Sequence, residues 1–174
     1  ETRKERKASD INYMKPIIKL ARVDERLLHA TVALNWNRFI TVDEFVTVDS
    51  EYVRDLFIEQ IVKLSMPGQK VKILDVLGFI NYSETIFEDD NHRAMVIFKD
   101  VHTLRLCVEN GFQIKEVQFQ AQSNKLKNHG ISSWLTERDK VDFAYLYTKN
   151  VLTYFQTSPF DEKSYFNVTT TDKI

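Results

Sequence analysis

Short apolar segments alternate with stretches of helical periodicity along most of the chain, and this alternation constrains the fold more than any other feature. Six segments have the β-branched, aliphatic and aromatic character of buried strands: 17–21, 44–48, 71–74, 93–98, 116–119 and 151–156. Between them, helical patterns occupy 28–40, 51–66, 76–87, the stretch between Asp100 and Gly111, and the stretch that opens at Thr136. Such alternation is typical of βαβ units. We therefore predict an α/β domain with a mostly parallel central sheet, helices on both faces, and room for one antiparallel edge strand.

The spacing of apolar residues within 51–66 predicts which side of that helix is apolar. Val53, Phe57, Ile61 and Leu64 recur at intervals of three and four residues. Residues at this spacing lie on one face of an α-helix, and such a face usually packs against a core. We therefore expect these four side chains on one apolar face.

Glycine and cysteine are scarce, which excludes several kinds of site. The four glycines, Gly68, Gly78, Gly111 and Gly130, lie far apart in the 174 residues. A P-loop needs two glycines in one short motif and a dinucleotide fingerprint needs three, so neither can be present. The single cysteine, Cys107, excludes a disulfide framework and a CxxC site. We predict that it is a small buried apolar residue.

Charge and hydropathy predict a globular cytoplasmic protein. A formal net charge of -1 gives no reason to expect a nucleic-acid partner. No run approaches the ~18–20 apolar residues that span a bilayer. Residues 1–13 are charged and lack an apolar core, so we interpret them as a disordered leader, a linker or a cloning remnant. Residues 14–174 then form a single domain.

The histidines outside the first strand's loop do not form a metal-binding pattern. His92 precedes the strand at 93–98, His102 is predicted on the outer side of a helix, and His129 lies in a polar loop. No two are four residues apart and no HExxH motif occurs. We predict no metal site and no cofactor.

The stretch 22–29 (RVDERLLH) combines groups suited to phosphate chemistry at the carboxyl end of the first strand. Ligands of parallel sheets bind beyond that edge, and helix N-termini attract anions. The guanidinium groups of Arg22 and Arg26 match phosphate oxygens, and a neutral His29 imidazole is a competent nucleophile. Asp24 and its neighbours also suit the alternative of caps and surface ion pairs, which composition and spacing leave open.

The same stretch resembles the active-site signature of the IIB subunits of the mannose/sorbose-type bacterial sugar phosphotransferase system, roughly R-[IV]-D-x-R-L-[IL]-H-G-Q-V followed by a Trp. The matching residues are Arg22, Asp24, Arg26, Leu27, His29, Val32 and Trp36. Four further segments resemble the family in order: FVTVDSEYVRD, LSMPGQKVKIL, VIFKDVHTLRLCVENGFQIKEVQF and ISSWLTERDKVDF. The resemblance covers about 17–159.

This resemblance implies a cytoplasmic phosphocarrier at the inner face of the cell membrane. It would accept a phosphoryl group on His29 from a phosphohistidine of a IIA partner, and pass it to a sugar bound by membrane IIC and IID subunits. Arg22 and Arg26 would stabilise charge on the phosphoryl group, and Asp24 would orient the loop. No cofactor is implied, because the donor is already phosphorylated. Whether two copies pair is left open.

The chain departs from the family beside the histidine and after the fifth strand. The family's Gly-Gln is Ala30-Thr31 here, and its glycine-rich turn is replaced by 120–124 (QAQSN). Ala30 would crowd a left-handed backbone position, whereas Thr31 still offers a hydroxyl. A divergent regulatory or binding role with weak or no transfer is therefore the alternative. An aspartate-phosphorylated receiver domain is a third hypothesis, with Asp24 and Glu25 an imperfect acidic pair.

Overall fold

Seven strands and four α-helices make up the part of the chain that a computed structural model describes, namely residues 15–25, 36, 38–85, 92–120, 135–156 and 158–166. The strands are β1 (Ile17–Val23), β2 (Glu44–Val48), β3 (Val71–Leu74), β4 (Arg93–Phe98), β5 (Glu116–Phe119), β6 (Leu152–Phe155) and β7 (Ser164–Phe166). The helices are α1 (Leu56–Ser65), α2 (Val76–Glu84), α3 (Val101–Glu109) and α4 (Glu137–Thr148). A short 3-10 turn, Tyr52–Arg54, precedes α1.

The strands form one sheet in the order β3-β2-β4-β1-β5-β6-β7. The pairs from β3 to β6 are parallel, and β7 is antiparallel to β6. This confirms the predicted mostly parallel sheet, and β7 takes the antiparallel edge position for which the prediction left room without placing a strand there. The carboxyl ends of β1, β4 and β5 meet at one edge, because Val23 pairs with Phe98 on one side and with Phe119 on the other.

Side chains alternate between two apolar layers, one on each face of the sheet. Helices α2, α3 and α4 cover one face, where Phe79, Leu104 and Leu146 are fully buried. Trp36 and α1 cover the other face, where Val62 packs in a second cluster. The predicted placement of helices on both faces is confirmed. None of the described helices is long and apolar enough to cross a bilayer.

Four helix starts are fixed by side chains that accept hydrogen bonds from backbone amides. The caps of α1, α2 and α3 are aspartates, and Thr136 caps α4 in a reciprocal box with Asp139. At α3, Asp100 Oδ1 accepts from the Thr103 amide at 2.7 Å. Past the end of α3, Gly111 has φ +103, which a residue with a Cβ rarely adopts.

The predicted helix 51–66 differs from the structure in two ways. Asp55 is extended and caps α1, so the helix begins at position 56, after the 3-10 turn. The expected apolar face is exposed, with Phe57 at 68% and Leu64 at 80% of their full accessibility. The opposite side, including Ile58 and Val62, packs on the sheet. Both sides of α1 are therefore apolar, and the face that the periodicity identifies is the exposed one.

Three further outcomes concern one predicted helix, one strand that was not predicted and the single cysteine. The helix predicted at 28–40 lies mostly outside the described residues. At its end, the amides of Phe39 and Ile40 donate to the Trp36 carbonyl at 2.9 Å. The strand β7 was missed, and its Phe166 ring stacks on Phe155 with the centroids 4.2 Å apart. Cys107 is fully buried, as predicted.

Candidate functional site

Arg22 and Asp24 form a buried ion pair where β1 ends. Their side chains retain only 3% and 1% of their accessibility. Arg22 Nη2 lies 3.1 Å from Asp24 Oδ2, and Arg22 Nε lies 3.3 Å from the same oxygen. The Asp24 amide also donates to the Phe98 carbonyl at 3.0 Å, which ties this turn to β4. The start of the 22–29 stretch is therefore held in place by a buried side-chain ion pair and by a backbone hydrogen bond to β4.

The other predicted site residues of this stretch fall beyond the described part. Arg26, His29, Ala30 and Thr31 lie outside the described residues. The structure thus brings together two of the six predicted residues. Arg22 is placed inside the protein, with its charge held against Asp24.

Gln118 on β5 extends this pair into a polar chain across the sheet. It lies beside Arg22 in the register of the two strands, and its side chain is fully buried. Arg22 Nη1 donates to Gln118 Oε1. Gln118 Nε2 in turn donates to Gln156 Oε1 at 3.4 Å, and Gln156 Nε2 donates to the Asp161 carbonyl at 2.8 Å. Sequence reasoning missed Gln118 because a polar residue in an apolar strand carries no motif.

A second charged group lies at the carboxyl ends of β2 and β4, at the same edge of the sheet. Lys99 Nζ lies 3.1 Å from Asp49 Oδ2 and 3.0 Å from Glu51 Oε2. The hydrogen bond to Glu51 raises the pKa of Lys99, against the lowering effect of its partial burial, and Asp49 adds to the rise. The ammonium group also stands over the Tyr52 ring, 5.3 Å from its centroid. Asp100, which follows, is the helix cap that the sequence suggested.

His102 was predicted on the outer side of its helix, but in the structure it faces α4. Its Nδ1 lies 3.0 Å from Oδ2 of Asp142, whose side chain is only 1% exposed. Arg105 Nη1 approaches the other oxygen of Asp142 at 3.3 Å. The carboxylate therefore joins α3 to α4 through two partners. The spacing of residues within α3 could not predict the contact between His102 and Asp142, because Asp142 belongs to α4.

The predicted absence of a metal site concerns the remaining histidines as well. His92 lies at the opposite edge of the sheet, where its Nε2 is 3.2 Å from Glu44 Oε2. His129 lies outside the described residues. Within the described ranges, no group of three or more His, Cys, Asp or Glu side chains could hold a metal ion.

The sequence matches one family model over nearly the whole domain. Residues 18–168 match the model described as the PTS system sorbose subfamily IIB component. That range contains all seven strands except the first residue of β1, and it contains the whole 22–29 stretch.

Two relatives and one solved structure agree with this match. The chain is 41% identical over 103 residues to the PTS system sorbose-specific EIIB component of Lacticaseibacillus casei, covering 58% of this chain and 62% of that protein. It is 29% identical over 108 residues to the PTS system mannose-specific EIIAB component of Escherichia coli K12, covering 61% of this chain. That match spans only 32% of the EIIAB component's length.

The solved structure is the IIBSor domain of the sorbose permease from Klebsiella pneumoniae. It superposes with a TM-score of 0.71 at 19% identity, over 84% of this chain and 91% of that chain. At this identity the likeness supports the fold alone. It agrees with the mostly parallel sheet described above.

Proposed function

Because the chain belongs to the sorbose subfamily of IIB components of the sugar phosphotransferase system, we propose that it is a phosphocarrier that uses His29. As a member of this family it is a component of a phosphotransferase system. In the proposed reaction, His29 accepts a phosphoryl group from a phosphohistidine of a IIA protein or domain. The P–N bond to the donor imidazole breaks as a new P–N bond forms to His29. The group then passes to a sugar held by membrane IIC and IID subunits.

The buried pair of Arg22 and Asp24 is the observation that carries this proposal. It fixes the point from which the chain enters the stretch that contains His29. Phosphoryl transfer depends on positioning and electrostatic stabilisation more than on covalent machinery, so a rigid loop origin has direct value. We assign the two arginines different tasks. Arg22 anchors the loop from inside, and we assign to Arg26 the contact with the transferring phosphoryl group.

The residues after His29 and the absence of a nucleotide loop fit the same proposal. The donor is already a phosphorylated protein, so neither a glycine cradle nor a cofactor is needed. We assign the Thr31 hydroxyl a hydrogen bond to a phosphoryl oxygen, whereas Ala30 replaces the family's glycine. The family assignment makes the receiver-domain hypothesis unnecessary, and Asp24 is engaged by Arg22.

The proposed partners set where the protein acts. Accepting from a IIA protein and delivering to IIC and IID subunits requires the site to meet two partners in turn. Interfaces of this transient kind are small. We therefore propose that the protein works in the cytoplasm, at the inner face of the cell membrane.

The proposal is tested by labelling from a radiolabelled, phosphorylated IIA protein. The wild-type chain should gain acid-labile, base-stable label. His29→Gln should gain none, whereas the matched control His129→Gln should label like the wild type. Equal labelling of His29→Gln would show that the site assignment is wrong.

Adding membranes that carry IIC and IID subunits and a sugar tests the second half of the reaction. Label should leave the protein and appear as sugar phosphate. Label that stays on His29 would favour the regulatory alternative that Ala30 and residues 120–124 suggest.

A further inference from the structure

Gln118 is a polar side chain that the apolar strand around it does not explain. Its neighbours Val117 and Phe119 are buried on the other face of the sheet, in the apolar layer covered by α2, α3 and α4. Gln118 is itself completely shielded from solvent. A buried amide must satisfy both its oxygen and its nitrogen within the protein. Gln118 does so, accepting from Arg22 and donating to Gln156.

The geometry of the ion pair shows what this amide adds. Arg22 Nε and Nη2 both donate to one oxygen, Asp24 Oδ2. The bond from Arg22 Nη1 to Gln118 Oε1 comes from the other side of the group, so it restrains the guanidinium in a direction that the two bonds to Asp24 do not.

We propose that Gln118 is a positioning residue for the phosphoryl transfer at His29, acting by fixing the Arg22 guanidinium and, through it, Asp24. This inference rests on the proposed function. The bond from Gln118 to Gln156 satisfies the amide nitrogen, whereas the contact with Arg22 is made by the amide oxygen. The bond from Gln156 to the Asp161 carbonyl connects the same chain to the turn after β6. Gln118 touches no reacting atom in this scheme.

Three variants separate the contributions of the hydrogen bonds that link Arg22, Gln118 and Gln156. Gln118→Met keeps the length of the side chain and removes both hydrogen bonds. Gln118→Glu keeps an oxygen for Arg22 but loses the donor to Gln156. The matched control, Gln156→Leu, leaves the bond between Arg22 and Gln118 intact.

The experiment measures phosphoryl uptake from a phosphorylated IIA protein, with kcat and KM determined separately. For Gln118→Met we expect kcat to fall ~10-fold or more at an unchanged KM for the donor, because small misplacements cost that much in transfer reactions. Gln118→Glu should recover most of the rate. Gln156→Leu should lose less than ~3-fold, since Arg22 keeps its bond to Gln118.

Phosphoramidate, a small phosphoryl donor, supplies a readout that docking defects do not move. The same loss for Gln118→Met with phosphoramidate supports positioning at His29. A loss confined to the protein donor overturns it, because the defect then lies in docking. If Gln118→Met does not fold, Gln118→Ser takes its place, since its hydroxyl keeps the space polar without a fixed acceptor, and the same loss is expected.

The outcomes also distinguish the two proposals. Wild-type protein that takes up no phosphoryl group from either donor overturns the proposed function and this inference with it. Wild-type uptake at His29 together with an unchanged rate for Gln118→Met overturns this inference alone.

Discussion

Removing either member of the Arg22–Asp24 pair should destabilise the fold far more than breaking an ordinary ion pair. The perturbations are Arg22→Met, Asp24→Leu and the double variant. Both side chains lie almost wholly out of solvent, so each single variant leaves a charged group inside the protein without the partner it has now. The double variant removes both charges together and replaces them with apolar groups of similar size.

The burial of the pair sets the expected magnitude. Losing one partner of a buried ion pair costs ~3–5 kcal/mol, whereas an exposed pair contributes ~0–1 kcal/mol. A native domain is stable by only ~5–15 kcal/mol, so each single variant should lose a large part of its free energy of unfolding. The double variant should lie closer to the wild type than either single variant, because apolar replacement of a whole buried pair is often neutral. Its remaining loss reflects the Gln118 oxygen, which Arg22 no longer satisfies.

Urea unfolding followed by far-ultraviolet circular dichroism is the assay. Linear extrapolation gives the free energy of unfolding of all four proteins, and similar m values confirm comparable unfolding transitions. The coupling energy between Arg22 and Asp24 follows from the double-mutant cycle. Single variants that each lose less than ~1 kcal/mol, with additive effects, would refute the reasoning, since the pair would then behave as if exposed.

Two further predictions concern ion pairs away from the site. Hydrogen bonds from Arg93 hold the pKa of Asp43 down at about 2. This lowering of the Asp43 pKa is worth ~2 kcal/mol at full strength and ~1 kcal/mol after discounting for a side chain that is 34% exposed. This contribution is complete above the carboxyl's ordinary pKa and is lost as pH falls towards about 2. The stability gap between the wild type and Asp43→Asn in urea should therefore shrink on acidification, and a constant gap would contradict the assignment. Asp142→Asn should cost ~2 kcal/mol in the same assay, because its buried carboxylate loses charged hydrogen bonds, including the one from Arg105; a cost under ~0.5 kcal/mol would count against it.

Much of the sheet could be predicted because its strands are short apolar runs with clear ends. The bounds of β2, β3, β4 and β5 match the prediction residue for residue. Strands buried on both faces read as continuous apolar runs, and the caps between them limit where each helix begins. The three-residue β7 is too short for its alternation to register. Periodicity could not predict which side of α1 packs on the sheet, because both sides of this helix are apolar.

The candidate site could be predicted only in part, for a physical reason. Arg22 and Asp24 are two positions apart, so the sequence left an ion pair open as a surface contact, but it did not predict that the pair is buried. Gln118 lies 96 positions from Arg22, and only the register of β1 against β5 brings the two together. A single polar residue in an apolar run gives no sign of such a partner. The contact of His102 with Asp142 was missed for the same reason.

The strand order also governs when the protein can begin to fold during synthesis. Of the seven described strands, β1 leaves the ribosome first, yet its two neighbours in the sheet are β4 and β5. One edge of β1 stays unpaired until the partner of Ile17, Arg93, has been made. The other edge stays unpaired until the partner of Arg22, Gln118, has been made. Pairing between such distant segments is slow, and an uncovered apolar strand is prone to aggregate meanwhile. The nascent chain therefore leaves its future central strand unpaired until β4 and then β5 have been made, and that interval is when a chaperone would matter most.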